Sequence, residues 1–357
     1  MTNSMRNHTT HAPLRTWLTI GYALFIVYAS LSPFTGWRNH GIEFGEVLIA
    51  QLSLSYTAFD STANILSYLP LGFLITLTLR ARFGAVPSAI LALVSGVLLS
   101  MSMEYLQMYL PSRISSNTDL ISNSVGTLIG SLLAVGVASQ SWIFSRLTGW
   151  RSNFFREGKE VDFGLAMLAL WIFGQINPSL PILGNIFLSK VAQQPFVTLP
   201  PTTFDWWECV AVSLNLLMLG ALLLSILRIP KNAATSLLIV LSMVAMAKFI
   251  AAAVLLRSWA LLLWINSEAV VGILIGIILL LAILGLSRIA VLIFGAVIAS
   301  LYIVVVNLVL DSNAPSAAAS VYHWHYGHLL NYNGLAQTIS LGFPLLLIFH
   351  LWRIRKV

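Results

Sequence analysis

Charge is scarce in this 357-residue chain: 9% of its residues are Asp, Glu, Lys or Arg and 58% are hydrophobic. An ordinary soluble domain carries roughly 25% charged residues, so a soluble globular protein is excluded. Cysteine is almost absent. The one thiol, Cys209, cannot form an intramolecular disulfide, so no oxidised framework holds the chain together. The signatures of several enzyme classes are missing too: there is no Gly-x-Ser-x-Gly elbow, no His-Glu-x-x-His zinc helix and no Gly-x-x-x-x-Gly-Lys phosphate loop. No low-complexity tract or long charge run interrupts the sequence.

What is present is apolar length. Mean hydropathy is +0.87, and apolar stretches recur close to the ~20 residues needed to cross a ~30 Å hydrocarbon layer. The expected fold is therefore all-α, a polytopic transmembrane helical bundle of about ten spans. These run over residues 16–34, 61–79, 84–108, 119–138, 163–177, 205–227, 233–256, 264–286, 289–309 and 333–352. The fifth is the weakest, since Pro178 cuts it short and it can continue as a re-entrant segment towards Leu188. Arg6 and Arg15 ahead of Trp17–Ala29 mimic a signal peptide, but that apolar run continues to Phe34 and is long enough to span.

The formal charge of +7 would suggest nucleic acid in a soluble chain. Here the basic residues sort by topology instead. Arg80, Arg82, Arg146, Arg151, Arg156, Lys159, Arg228, Lys231, Arg288, Arg353 and Arg355 all fall on the side of both termini, whereas Arg38, Arg113, Lys190 and Arg257 fall on the other. The positive-inside rule makes the first side cytoplasmic, leaves an acidic outer face, and removes nucleic acid from the expected partners. Residues 139–162 read as a basic cytoplasmic linker between a four-span unit and a six-span unit at 163–352. Matching strings, Val125-Gly126-Thr127-Leu128-Ile129-Gly130 and Val271-Gly272-Ile273-Leu274-Ile275-Gly276 among them, raise a parallel internal repeat of four spans each.

Ionisable groups at membrane depth are costly, so each is a functional candidate. Asp60 and Asn64 share a helical face at the outer start of the second span, Glu104 and Gln107 lie at the outer end of the third, and Arg113 follows in the loop. Asp119 and Asn123 open the fourth span. Such a carboxylate and arginine cluster can clamp a phosphate, a carboxylate or a sugar hydroxyl array. The plainer alternative is that Asp60 and Asp119 cap helices while Arg113 neutralises Glu104 and Asp119. Glu104 separates the two readings, because a carboxylate one turn inside a helix C-terminus is disfavoured by the dipole and capping would not place it there. Secondary candidates are Lys248, with Glu208 as its expected partner, and the loop residues His323, His325 and His328, where an aromatic belt is the commoner explanation and a metal the rarer one. Gly126-x-x-x-Gly130 and Gly272-x-x-x-Gly276 read as close-packing motifs.

At these residues the chain resembles the VanZ-like family of bacterial membrane proteins. The resemblance rests on Ser30-Leu31-Ser32-Pro33, on Asp60-x-x-x-Asn64-Ile65-Leu66-Ser67-Tyr68-Leu69-Pro70-Leu71-Gly72, and on Glu104-x-x-Gln107, Arg113, Asp119, Asn123 and Gly126-x-x-x-Gly130. It covers residues 15–138 and departs from the family pattern at Tyr68, where members carry Phe. The resemblance implies a four-span domain in a bacterial inner membrane and a link to low-level resistance to the glycopeptide teicoplanin. It supplies no mechanism and no cofactor. Three functions follow as expectations. The leading one is a non-enzymatic envelope factor that binds a polar or lipid-linked envelope precursor at the outer cluster, with membrane lipids as its other partners. A second is an enzyme acting on a lipid-linked phosphate or glycan, with Glu104 or Asp119 as base and Arg113 as electrostatic stabiliser. The third is a transporter that uses Lys248.

Overall fold

The computed structural model describes residues 12–31, 36–41, 43–50, 58–111, 113–178, 180–184, 204–256, 261–309 and 330–356, with residues 34 and 258 singly. Helix is the only repeating structure among them. The helices are α1 (Ala12–Leu31), α2 (Phe44–Ile49), α3 (Ala58–Phe83), α4 (Ala85–Gln107), α5 (Asn117–Ser139), α6 (Ser141–Phe154), α7 (Lys159–Gly174), α8 (Trp206–Ile226), α9 (Ala233–Leu255), α10 (Ser267–Ile283), α11 (Arg288–Val309) and α12 (Leu330–Ile354). One isolated bridge pairs Phe155 with Leu227.

A helix forms at each of the ten expected spans, but seven are long and apolar enough to cross a membrane by themselves: those in α1, α3, α4, α5, α8, α9 and α11. Ser267–Ile283 and Thr338–Ile354 are apolar and shorter. The fifth expected span is corrected most. Its helix, α7, has 16 residues, starts on Lys159, Glu160 and Asp162, and stops at Gly174. Residues 175–178 and 180–184 are then non-helical, with Asn177, Leu180, Ile182 and Leu183 buried. Irregular backbone at membrane depth is tolerated when it is enclosed by protein, and Pro178 and Pro181 account for the break. The linker expected at 139–162 is largely helical, because α6 fills it.

The chain divides into two compact units, 1–151 and 152–357. In the first, α3 and α5 form the most extensive helix pair, α4 packs on both, and α1 lies against α3 and α4. Gly84 joins α3 to α4 at φ +82°, a conformation that glycine adopts without strain, which closes the two helices into a hairpin. The packing faces are small and polar: Ser88, Ala92, Gly96 and Ser100 recur every fourth residue along α4, and α5 buries Ser122, Asn123, Gly126, Thr127, Gly130, Ser131 and Ala134. Leu24, Ile90, Leu98 and Leu132 point outward. Apolar exteriors around small-residue seams suit lipid, which gives helices no hydrophobic reason to associate and leaves close packing and hydrogen bonds to hold them.

In the second unit α8 is the centre, buried almost throughout, with α7, α9, α10, α11 and α12 against it. The repeat gains support from the contacts. A Cβ at Gly126 or Gly130 would fall on the carbonyl oxygen of Ile65 or Leu69, four residues apart in α3. Cβ atoms at Gly272 and Gly276 would meet those of Cys209 and Ser213, four residues apart in α8. Among the described residues, the extensive α4 to α5 packing has no counterpart of similar size between α9 and α10.

Candidate functional site

Three helix ends and one loop build the site in the first unit. Ser116 begins α5 as its N-cap, its hydroxyl accepting from the Thr118 N–H at 3.1 Å. Asp119 is therefore the third helical residue and not the cap, and Asp60 likewise sits third in α3. Both aspartates keep the favourable first-turn position for an acid, and Asp119 also takes a contact from another helix. Asn64 of α3 donates its side-chain N–H to Asp119 Oδ1, tying the starts of α3 and α5 together.

Glu104 is 3% exposed. Its Oε2 accepts from Ser115 Oγ at 3.0 Å and from the Ser116 N–H at 2.8 Å. This corrects the expectation that helix-end stabilisation does not explain Glu104: it stands on the last turn of α4 but braces the first turn of α5, where a negative charge is favoured. Asn123 is buried and donates to Ser100 Oγ at 3.0 Å. Arg113 donates to Ala29 O at 2.8 Å and Gln107 to Ser30 O at 3.0 Å, so both reach the end of α1. Partial burial pushes the Arg113 guanidinium below its ordinary value, while the charges of Asp119 and then Glu104 oppose that shift. Asn64, Glu104, Arg113, Asp119 and Asn123 are thus brought into one cluster. Gln107 belongs to its α1 side, and Asp60 stands one turn from Asn64.

Two further groups complete the floor. The Tyr68 hydroxyl, beside Ser100 and within the field of Glu104 and Asp119, makes no hydrogen bond of ordinary geometry among the described residues. Asn123 Oδ1 is also buried without a partner there. A buried donor and a buried acceptor left unpaired are costly and point to a polar group that completes them. Tyr68 was visible in the sequence as the departure from the family pattern, and Ser100 carried no signal beyond the small-residue seam. The cluster gathers a guanidinium, two carboxylates, two amides and a phenol, a set matched to phosphate or hydroxyl-rich groups.

The secondary candidates separate. Lys248, 1% exposed, does not pair with Glu208 as expected. Its Nζ donates to Asn177 O at 2.7 Å and Leu180 O at 3.0 Å, satisfying carbonyls that the break after α7 leaves open. Glu208 accepts instead from Asn266 Nδ2 at 2.9 Å. That bond joins the starts of α8 and α10, as Asn64 and Asp119 join α3 and α5, with donor and acceptor exchanged. Asn215 continues the polar seam, accepting from Trp171 Nε1 at 2.9 Å and donating to Leu183 O at 3.0 Å. His323, His325 and His328 lie outside the described residues. No group of three or more His, Cys, Asp or Glu side chains suited to a metal occurs among the described residues. His350, which sequence reasoning passed over, is buried with Nε2 3.1 Å from Ser225 Oγ; its only signal was a histidine inside an apolar helix.

Apolar helix lengths, small-residue seams and outward apolar faces define a multi-pass α-helical membrane protein. Residues 4–144, which include the helices that carry the cluster, match the model of the VanZ/LLP1 family. No curated protein and no solved structure matches the chain.

Proposed function

We propose that the protein is a cell-envelope factor of the bacterial cytoplasmic membrane whose VanZ-like domain binds a polar or lipid-linked ligand at the outer ends of α3, α4 and α5. The observation that carries this reading is the Tyr68 hydroxyl and Asn123 Oδ1, both buried without a hydrogen bond of ordinary geometry among the described residues, with the Tyr68 hydroxyl in the field of Glu104 and Asp119. Arg113 supplies a charge-assisted contact to an anionic or hydroxyl-rich headgroup, and the two orphan atoms select a group with both donor and acceptor character. Glycopeptide susceptibility is the phenotype that the resemblance to the VanZ-like family suggests. The test is complementation of a strain lacking the protein, scored by teicoplanin susceptibility and other envelope phenotypes, with Arg113→Gln and Asn123→Leu at wild-type protein levels. Loss of complementation in both is expected. Full complementation by both would defeat the reading.

A transport role is favoured by one observation: a fully buried lysine, Lys248, set on the carbonyls of a broken helix. Broken helices beside ionisable groups mark the substrate paths of many transporters. Substrate movement in proteoliposomes that is lost in Lys248→Met would support it, and movement unchanged by that substitution would remove it.

A further inference from the structure

The second unit carries a cleft of about 220 Å³ between residues 156–161, Arg288 and Ile354. Four helix ends meet there. Helix α7 begins at Lys159, α8 ends at Ile226, α11 begins at Arg288, and α12 ends at Ile354. The cleft therefore lies at the depth where these spans leave the apolar layer, on the basic side of the unit.

The cations in it are held in place without being neutralised. Arg156 donates from Nε to Leu227 O at 3.1 Å, and Arg288 from Nη2 to Ile354 O at 3.2 Å. Each guanidinium is thus anchored on a helix C-terminal carbonyl, with the rest of its five donors unspent. The like charges of Arg156 and Arg288 act on one another across the opening. Among the described residues neither arginine forms an ion pair, nor does Lys159, which lines the same cleft. Of the two lining acids, Glu160 is engaged by Arg353 Nη2 at 2.6 Å, and Glu157 is the other. The N-cap of α7, Gly158, has no capping side chain, so first-turn N–H groups also face this region. Two like-charged guanidiniums brought together, neither in an ion pair among the described residues, is an arrangement that an anion stabilises.

We propose that this cleft is a binding site for the phosphate of an anionic phospholipid, clamped by Arg156 and Arg288 with Lys159 at its rim. A headgroup at the interface brings the phosphate to this depth with its acyl chains along the exposed apolar faces of the helices. The site is independent of the cluster at the ends of α3, α4 and α5.

The test uses the purified full-length protein in mixed micelles, with phosphatidylglycerol and phosphatidylcholine compared by retained lipid in native mass spectrometry and by thermal unfolding. Arg156→Gln with Arg288→Gln is expected to weaken phosphatidylglycerol retention roughly thirtyfold, and exposed Lys159→Glu by at least about fivefold. Lys159→Glu removes no hydrogen bond seen in the structure, so it reads binding even if the double variant folds poorly. Arg82→Gln, a basic-side change in the first unit, is expected to behave as wild type. Equal retention in all variants, or an equal fall in Arg82→Gln, would overturn the proposal. Inorganic phosphate stabilising the protein as well as phosphatidylglycerol does would overturn the assignment to a lipid.

Discussion

Replacing Gly130 by alanine tests the contact that sets the site's geometry. A Cβ there would fall inside the van der Waals envelope of the Leu69 carbonyl oxygen and close to the Phe73 N–H, both backbone atoms of α3 that cannot swing aside. The helices must move apart. Overpacking of this kind costs about 1–3 kcal/mol, and the higher helix propensity of alanine returns up to ~1 kcal/mol, so a net loss of about 1–2 kcal/mol is expected. Gly136 provides the control on the same helix, because nothing lies within 4 Å of its added Cβ. Gly136→Ala should be neutral or stabilising by up to ~1 kcal/mol. Equilibrium unfolding in mixed micelles, followed by helical circular dichroism, reads both. Equal stability of Gly130→Ala and Gly136→Ala would refute the close approach of α3 and α5, and with it the placement of Asn64 on Asp119.

Other substitutions read separate parts of the account. Ser116→Ala removes the N-cap of α5 and should cost about 1 kcal/mol in the same unfolding measurement, while Ser124→Ala, at a half-buried serine bonded within its own helix, should cost less. Lys248→Met removes the ammonium that donates to the carbonyls of Asn177 and Leu180 and should destabilise the second unit by about 1–3 kcal/mol, seen as faster hydrogen exchange at residues 175–178 and 180–184. Unchanged exchange there would mean the lysine does not hold the break. Arg353→Ala removes a partly exposed ion pair with Glu160 and should change unfolding free energy by less than about 1 kcal/mol, a difference that shrinks further in high salt.

Composition and small-residue spacing made the membrane helices and their seams legible. Gly126 and Gly130 announced a close approach, because residues four apart share a face and only glycine admits a backbone there. The partners of the polar groups were less legible. Asn64 meets Asp119 across 55 residues, and Lys248 meets Asn177 and Leu180 across 71 and 68. Those choices follow from which helices become neighbours, which local pattern does not encode. Glu104 was misread for a related reason: its helix dipole argues against a carboxylate, but the field that counts belongs to the next helix, folded back by a short loop. The fifth span was read too long because hydropathy continues past Gly174, whereas the backbone obeys Pro178.

The proposed site at the ends of α3, α4 and α5 is tested most directly by native mass spectrometry of the purified full-length protein, identifying bound molecules in wild type, Arg113→Gln, Asn123→Leu and the Arg156→Gln, Arg288→Gln double variant. The account predicts a bound molecule with an anionic or hydroxyl-rich headgroup that is lost in Arg113→Gln and in Asn123→Leu and retained in the double variant. The same bound species at the same occupancy in all four proteins would contradict it.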